Sequence, residues 1–518
     1  MLRYPPELSD APMPSPSART RLDVGAWFQR LANSSLATLA IVAFAFLMRS
    51  ASLMLSSMDW DEGVYIVMAQ QWLRGNLPYV AVWDQHPPAL PALLALAQSV
   101  IPDPVLGARL LAASAVAVTA VVIHRFCARH AKRPDLGLVA ALLYIVCMSR
   151  FGGLLANTEV FNNALVASAA FLLFGAARRA DRGLAGAVGA ALLLGVGLQF
   201  KYVILPEAVL LCLGYLALCH ARDRDLRALV APAALLIGAG LLPTILTVAY
   251  FWHKGILGPF LDANIGSNLA YFGIARSLPI IAGDSVSGLA PLVGPVLLIG
   301  YAVARHFQAP ARWHATSLES WVLLWTIAAA VDVCLPMKFY VHYFFALYPP
   351  LCLAGALALG RVAAGRRTVF MAGCVLLCLV AAPLWIAGVA RTMAFSTIDA
   401  SRLIAKTIRD AGAGDADLFV YYHDPVIYAL AGVRPATPYV LKAEFGDFSG
   451  SAHLDSVAEI NRVMDARPRF VVIVPELLAG PSSDAFDHLM LRRLATYHVA
   501  QDITERGGRE VRLYERDR

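Results

Sequence analysis

Eleven mostly apolar runs constrain this chain more than any other feature. They fall at roughly 34–56, 105–127, 135–152, 158–178, 183–200, 202–220, 228–252, 286–306, 318–335, 341–360 and 368–390. A helix that crosses the hydrocarbon core of a bilayer needs about 20 apolar residues. Lipid offers no partner to a backbone N–H or C=O, so such runs fold as helices. The expected fold class is a polytopic α-helical membrane protein with about 11 transmembrane helices. Composition agrees. The 518 residues are 58% apolar and only 15% charged, whereas a soluble chain carries about 25% charge.

The net charge of +7 points away from nucleic acid once the basic residues are placed. Arginines and one lysine, Lys132, gather in every second short loop, around residues 127, 178, 220, 306 and 360, and ahead of the first run. Cytoplasmic loops carry such an excess. The pattern predicts a cytoplasmic N-terminus, with residues 57–101 and everything after 391 outside. Residues 1–33 hold Pro and Ser and no apolar run, and read as a disordered leader. The eight cysteines all lie in or beside apolar runs, without CxxC or Cys/His zinc spacing, so no disulfide framework is expected.

Residues 391–518 change character. Strand-like runs at 418–422, 470–474 and 511–515 alternate with helical patterns at 398–410, 453–466 and 484–495. This predicts a small external C-terminal α/β domain. No catalytic constellation is evident in it, and His423-Asp424-Pro425 reads as a turn or helix start.

Chemistry concentrates in the polar stretch 57–88, SMDWDEGVYIVMAQQWLRGNLPYVAVWDQHPP. Asp59, Asp61 and Glu62 open an amphipathic helix, with Val64, Val67, Met68 and Trp72 on its apolar face. Asp59-x-x-Glu62 has the form of a capping box. A carboxylate beside an apolar wall also suits a general base, whose pKa must lie near the working pH. The two readings are compatible. Residues 87–101 are too short and Pro-rich for a span and predict an interfacial or re-entrant helix.

Charges at membrane depth usually face a cavity. Arg49, Arg109, Lys201 and Lys338 stand near the outer ends of predicted spans, and the chain has only six lysines. They either snorkel to the interface or capture an anion such as a lipid phosphate. Glu159 either joins the site or matches the dipole of its own helix. The loop 253–285 is either a gate over the site or an ordinary connection. No phosphate-binding Gly-rich motif is present.

With these residues in view, the chain resembles the membrane glycosyltransferases of the C-type fold. Within them it is similar to the bacterial branch of the dolichyl-phosphate-mannose protein mannosyltransferase superfamily, which includes aminoarabinose transferase and rhizobial galacturonosyltransferase-like proteins. Asp61-Glu62-Gly63-Val64-Tyr65, Gly75-Asn76-Leu77-Pro78-Tyr79 and Asp84-Gln85-His86-Pro87-Pro88 carry the resemblance, followed in order by Glu159, Lys201, His342-Tyr343 and Pro349. Two positions depart from the aminoarabinose transferases: Val64 stands where they have Arg, and His86 where they have Lys.

The resemblance implies an inverting transfer of a sugar from a polyprenyl-phosphate donor to a lipid, glycan or protein of the envelope, at the outer face of a bacterial inner membrane. Asp61 and Glu62 are then the catalytic pair. Lys201, Lys338, His342, Tyr343 and His86 contact the donor phosphate. Asp59, Asp84, Glu159 and Arg49 support the site or the acceptor. Some relatives bind a divalent metal, for which Asp61, Asp84 and His86 are the candidate ligands, without a paired spacing to support one. The alternative function is a lipid-linked sugar flippase or transporter. Against it, the halves show no repeat, which many transporters have, and the polar residues gather at one membrane face.

Overall fold

The computed structural model describes residues 32–56, 59–308, 316–361, 373 and 399–517, less 416, 479–483 and 506–508. Ten apolar helical stretches form the larger part. They are α1 (Ser35–Arg49), α4 (Pro104–Phe126), α5 (Pro134–Cys147), α6 (Thr158–Ala177), α7 (Leu184–Leu198), α8 (Leu205–Asp223), α9 (Val230–His253), the broken pair α10 (Leu278–Leu289) and α11 (Val293–Gln308), α12 (Leu318–Cys334) and α13 (Tyr348–Leu359). Between α1 and α4 lie α2 (Trp60–Leu73) and α3 (Ala89–Gln98).

Among the described residues, seven helices are long and apolar enough to cross a membrane. The difference from the expected eleven has a physical cause. α5, α7 and α12 hold only 14, 15 and 17 residues, about 21–26 Å at 1.5 Å per residue, short of a roughly 30 Å hydrocarbon core. They pack sideways against longer helices. The segment 148–157 after α5 leaves α-helical geometry, passing through a 3-10 turn at Phe151–Leu154, where side chains from other helices tie it down. The expected run 368–390 lies outside the described residues.

Helix starts follow local chemistry. Asp103 accepts from the N–H groups of Val105 and Leu106, each at 3.0 Å, with Pro104 at the first helical position. Pro there loses nothing, since its missing N–H would be unpaired anyway. The Asn157 side chain accepts from Thr158 N–H and opens α6. α3 is a short apolar helix lying between α2 and α4, as the Pro-rich start at 87 predicted.

The C-terminal part is a four-stranded sheet. β1 (Leu418–Val420), β2 (Phe470–Ile473), β3 (Tyr497–Thr504) and β4 (Glu510–Arg516) run in the order β1-β2-β4-β3. β1 and β2 are parallel, with Leu418 opposite Phe470, while β4 is antiparallel to both of its neighbours. Helices α14 (Ala400–Asp410), α15 (Val426–Ala431), α16 (Ser456–Asp465) and α17 (Ala485–Arg493) accompany it. Sequence reading missed β3 because only Tyr497 and Ile503 of its residues are buried. An edge strand with one covered pair leaves little apolar alternation.

The sheet unit sits on α2. Gln70 Nε2 donates to the Ala429 carbonyl at 2.7 Å, Arg74 pairs with Asp415 at 3.1 Å, and Trp60 meets Tyr422 edge-on at 5.8 Å. A Cβ on Gly63 would come within 2.2 Å of Asp424 Oδ1 and 3.0 Å of the Val426 nitrogen. Only glycine permits that approach. α2 is therefore buried nearly all round instead of on the single apolar face its sequence pattern predicted.

Candidate active site

The site forms where the 57–101 loop, the starts of α6 and α8, and the segment after α12 meet beneath the sheet unit. Asp59 caps α2 by accepting from the Asp61 backbone N–H at 3.2 Å. The expected Asp59–Glu62 capping box does not form. Glu62 turns to Arg109 of α4 instead, at 2.7 and 2.9 Å from Nε and 2.5 Å from an Nη, and accepts the Ala156 N–H at 2.7 Å. Arg109 also donates to the Ser52 carbonyl at 2.9 Å. The two side chains are 0% and 3% exposed. A carboxylate so enclosed has nothing left to offer a substrate. Glu62 thereby holds the start of α2 against α4 and the Ala156 backbone.

Asp61 is the contrast. It is partly exposed, and its carboxylate meets no hydrogen-bond donor or cation among the described residues. It lies close enough to act electrostatically on Tyr65, His86, His342, Tyr343 and Glu444. Burial first, then Asp61 itself, pushes the neighbouring Asp59 up to about 7.

His86 Nδ1 faces Asp84 Oδ1 at 3.0 Å and the Tyr65 hydroxyl at 3.2 Å. Burial opposes the imidazolium, but the charge and hydrogen bond of Asp84 outweigh it, so the His86 pKa is raised. A cation at the position where the aminoarabinose transferases have Lys is thereby favoured. The Tyr79 hydroxyl donates to the His86 carbonyl at 3.0 Å. Tyr79 has φ 66, a conformation held by its backbone N–H bond to Val82 and by packing against Phe251 and Phe260. Asn268 of the 253–285 loop donates to the Gln85 carbonyl at 2.9 Å, so that loop packs onto the first.

Glu159 and Lys201 form a buried ion pair. Thr158 Oγ1 donates to the other Glu159 oxygen at 3.0 Å, and His342 Nε2 stands 3.8 Å from the first. Lys201 Nζ lies 4.0 Å above the Tyr343 ring. Glu159, Lys201, His342 and Tyr343 thus come together, with Asp61 and His86 in electrostatic range of His342.

Two expected residues point elsewhere. Arg49 is 1% exposed and donates to the carbonyls of Met148 and Gly153, so it ties down the segment after α5, within electrostatic range of Glu62 and Arg109. Lys338 Nζ donates to the carbonyls of Tyr271, at 2.8 Å, and Ile274. Burial, then Arg276, lowers its pKa. It fastens the 253–285 loop and is not aimed at the Glu159 cluster. Its neighbours Met337 and Phe339 both have positive φ, 56 and 53, costly for residues with a Cβ.

Among the described residues no three His, Cys, Asp or Glu side chains gather as a metal ligand set. Asp84 is engaged with His86, and Asp61, Asp84 and His86 do not form such a set.

Sequence reading also missed residues. Arg276 lies over the Tyr340 ring at 4.0 Å, and Tyr340 stacks on His342 with 3° between the rings. Glu444, from the C-terminal part, is buried near Asp84 and Asp61, and burial holds its carboxyl well above the usual range. Neither carries a local signal. Tyr65 sits within the Asp61–Tyr65 motif and could have been found there.

A polytopic bundle with its polar cluster at one end of the helices, roofed by a small α/β unit, is the C-type membrane glycosyltransferase fold. Residues 85–251, from the end of the first loop through Glu159 and Lys201, match the family model described as dolichyl-phosphate-mannose-protein mannosyltransferase. The solved structure of ArnT from Cupriavidus metallidurans bound to undecaprenyl phosphate superposes with a TM-score of 0.62 at 14% identity, covering 92% of this chain and 97% of that one. Its apo state gives 0.56 at 15% identity over 92% and 97%. The family match agrees with the resemblance to the mannosyltransferase superfamily over residues 85–251, and the superpositions show the shared fold. Identity this low speaks for the fold. No curated protein matches the sequence.

Proposed function

We propose that this multi-pass membrane protein moves a sugar from a polyprenyl-phosphate donor to an envelope acceptor, with inversion, at the outer face of a bacterial inner membrane. The observation that carries the reading is the contrast between neighbours in sequence: Glu62 is locked to Arg109, while Asp61 stands unpaired among His86, His342 and Tyr65. The acceptor oxygen attacks the anomeric carbon, its proton passes to Asp61, and the bond from that carbon to the phosphate oxygen breaks with its electrons on the phosphate. Asp59, near 7, adjoins the base.

The leaving phosphate is already charged and needs electrostatic stabilisation at the moment of departure. His86, whose charged form Asp84 favours, and Lys201 serve this role. Lys201 is held by Glu159, so it serves as an oriented charge. His342 and Tyr343 line the same side. The undecaprenyl phosphate named with the ArnT structure supports a lipid-phosphate donor here.

Orientation follows from charge. Arg222 donates to the carbonyls of Ala177 and Arg179, and Arg182 pairs with Asp223 at 2.9 Å. These basic ends of α6 and α8 are opposite to the ends that carry Glu159 and Lys201. The positive-inside rule then puts the site, and the C-terminal part above it, outside the cytoplasm.

The test is transfer by the purified protein in liposomes, offered a panel of polyprenyl-phosphate hexoses and pentoses with envelope extract as acceptor. Product with one donor supports the reading and names the sugar. Movement of a labelled polyprenyl-phosphate sugar across the bilayer without any product would replace it by the flippase reading.

A further inference from the structure

Behind the Glu159–Lys201 pair lies a second polar group that the transfer reaction does not use. Glu207 is in the first turn of α8, and Asp332 is near the end of α12; each is 3% exposed. Glu207 Oε1 accepts from Trp325 Nε1 at 2.9 Å. The Asp332 carboxyl lies within hydrogen-bonding reach of the Glu207 carboxyl, so the two acids abut with a proton or a cation needed between them, and neither Asp332 oxygen meets any other donor. Asn162 of α6, 4% exposed, has neither its amide oxygen nor its nitrogen partnered. All three residues line one cavity of about 20 Å³, together with Glu159, Asn163, Lys201 and Tyr343.

We propose that Glu207, Asp332 and Asn162 form a binding site for a single divalent cation of the oxygen-seeking class. Buried polar groups in native proteins are partnered, and an orphaned one marks a place for a water or an ion. Here three of the four orphaned atoms are acceptors, the two Asp332 oxygens and the Asn162 amide oxygen, and the fourth is the Asn162 nitrogen. Two carboxyl groups face one void inside a membrane bundle, where unbalanced charge is costly. Lys201 is not their counter-charge, because its ammonium is engaged with Glu159. A +2 ion balances both carboxylates, and Asn162 adds a neutral oxygen of the same hard type. Such donors select Mg2+, Mn2+ or Ca2+ over thiolate-seeking metals. The void holds one water-sized occupant. Mg2+ keeps several waters, whereas Ca2+ takes direct oxygen ligands in flexible geometry, so the cavity suits an ion that sheds its hydration, Ca2+ or Mn2+. The site lies between α6, α8 and α12, and the ion would brace the helix starts that present Glu159 and Lys201. This inference stands independently of the transfer reaction.

The experiment uses the full chain in detergent, stripped with chelator and titrated with Mn2+ while the electron paramagnetic resonance of free Mn2+ is followed. Melting is recorded in parallel with Mn2+ and with Ca2+. The expected result is one Mn2+ per chain, displaced by Ca2+, with a rise in melting temperature. Asp332→Asn should weaken uptake at least tenfold and abolish that rise. Asn162→Ala, which leaves both charges in place, should weaken uptake less. Asp84→Asn should leave it unchanged. Stripped wild-type protein that takes up no Mn2+ overturns the proposal whatever the variants do. Uptake equal in wild type and a folded Asp332→Asn protein overturns it too, as does uptake lost in Asp84→Asn.

Discussion

Glu62 of α2 and Arg109 of α4, 47 residues apart, close a buried pair that fixes the start of α2 while leaving Asp61, one residue earlier, unpaired. Removing one partner of such a pair strands a charge and typically costs about 3–5 kcal/mol, whereas an apolar replacement of both is often neutral or better. Arg109→Met should therefore lower the melting temperature sharply. Glu62→Met/Arg109→Met should recover most of the loss. Melting in detergent by intrinsic fluorescence checks both.

Gly63 marks the closest approach between α2 and the C-terminal part. A Cβ there collides with Asp424 and the Val426 nitrogen. Gly63→Ala should loosen the sheet unit from α2 without unfolding the helices. Limited proteolysis should then cut the C-terminal part faster, with the helical content by circular dichroism retained.

His86 gives a prediction in pH. Burial lowers and Asp84 raises its pKa, with a net rise above 6.5. A group raised on folding adds stability that is complete below its unfolded pKa, about 6.5, and is lost as pH climbs through the folded value. Asp84→Asn removes the dominant raising cause. The variant should lose more stability at pH 5.5 than at pH 9, read from melting curves at the two values.

Asp59 behaves in the opposite sense. Burial and Asp61 raise its carboxyl from 3.8 to about 7. The native state holds that proton more firmly than the unfolded chain, so this group withdraws stability as pH rises from about 4 to 7. Asp59→Asn should raise the melting temperature at pH 8 relative to wild type, and do little at pH 4.

Much of the architecture was legible because lipid enforces long apolar runs. α4, α6 and α9 lie within a few residues of where those runs placed them. Where the structure engages a residue that the sequence offered to the site, one cause recurs. The fates of Glu62, Arg49 and Lys338 depend on partners 47, 104 and 67 residues away, and periodicity carries no information about such distant contacts. Residue type alone marked all three as chemically capable. Burial decided that Glu62 is spent on Arg109, and that Lys338 is spent on the carbonyls of a loop. α2 misled for the same reason: its second covered face belongs to α15, more than 350 residues on. Glu159 and Lys201 were found because a charge inside an apolar run is rare enough to stand out.

The measurement that tests the central claim most directly is sugar transfer by Asp61→Asn in the liposome assay, beside wild type and with the donor that wild type accepts. Loss of a general base typically costs 10²–10⁴-fold in rate. The account predicts a fall of at least about 100-fold in kcat for Asp61→Asn, with folding and donor binding retained. Full turnover by a folded Asp61→Asn protein would contradict it and move the base elsewhere in the cluster, to Asp59 first.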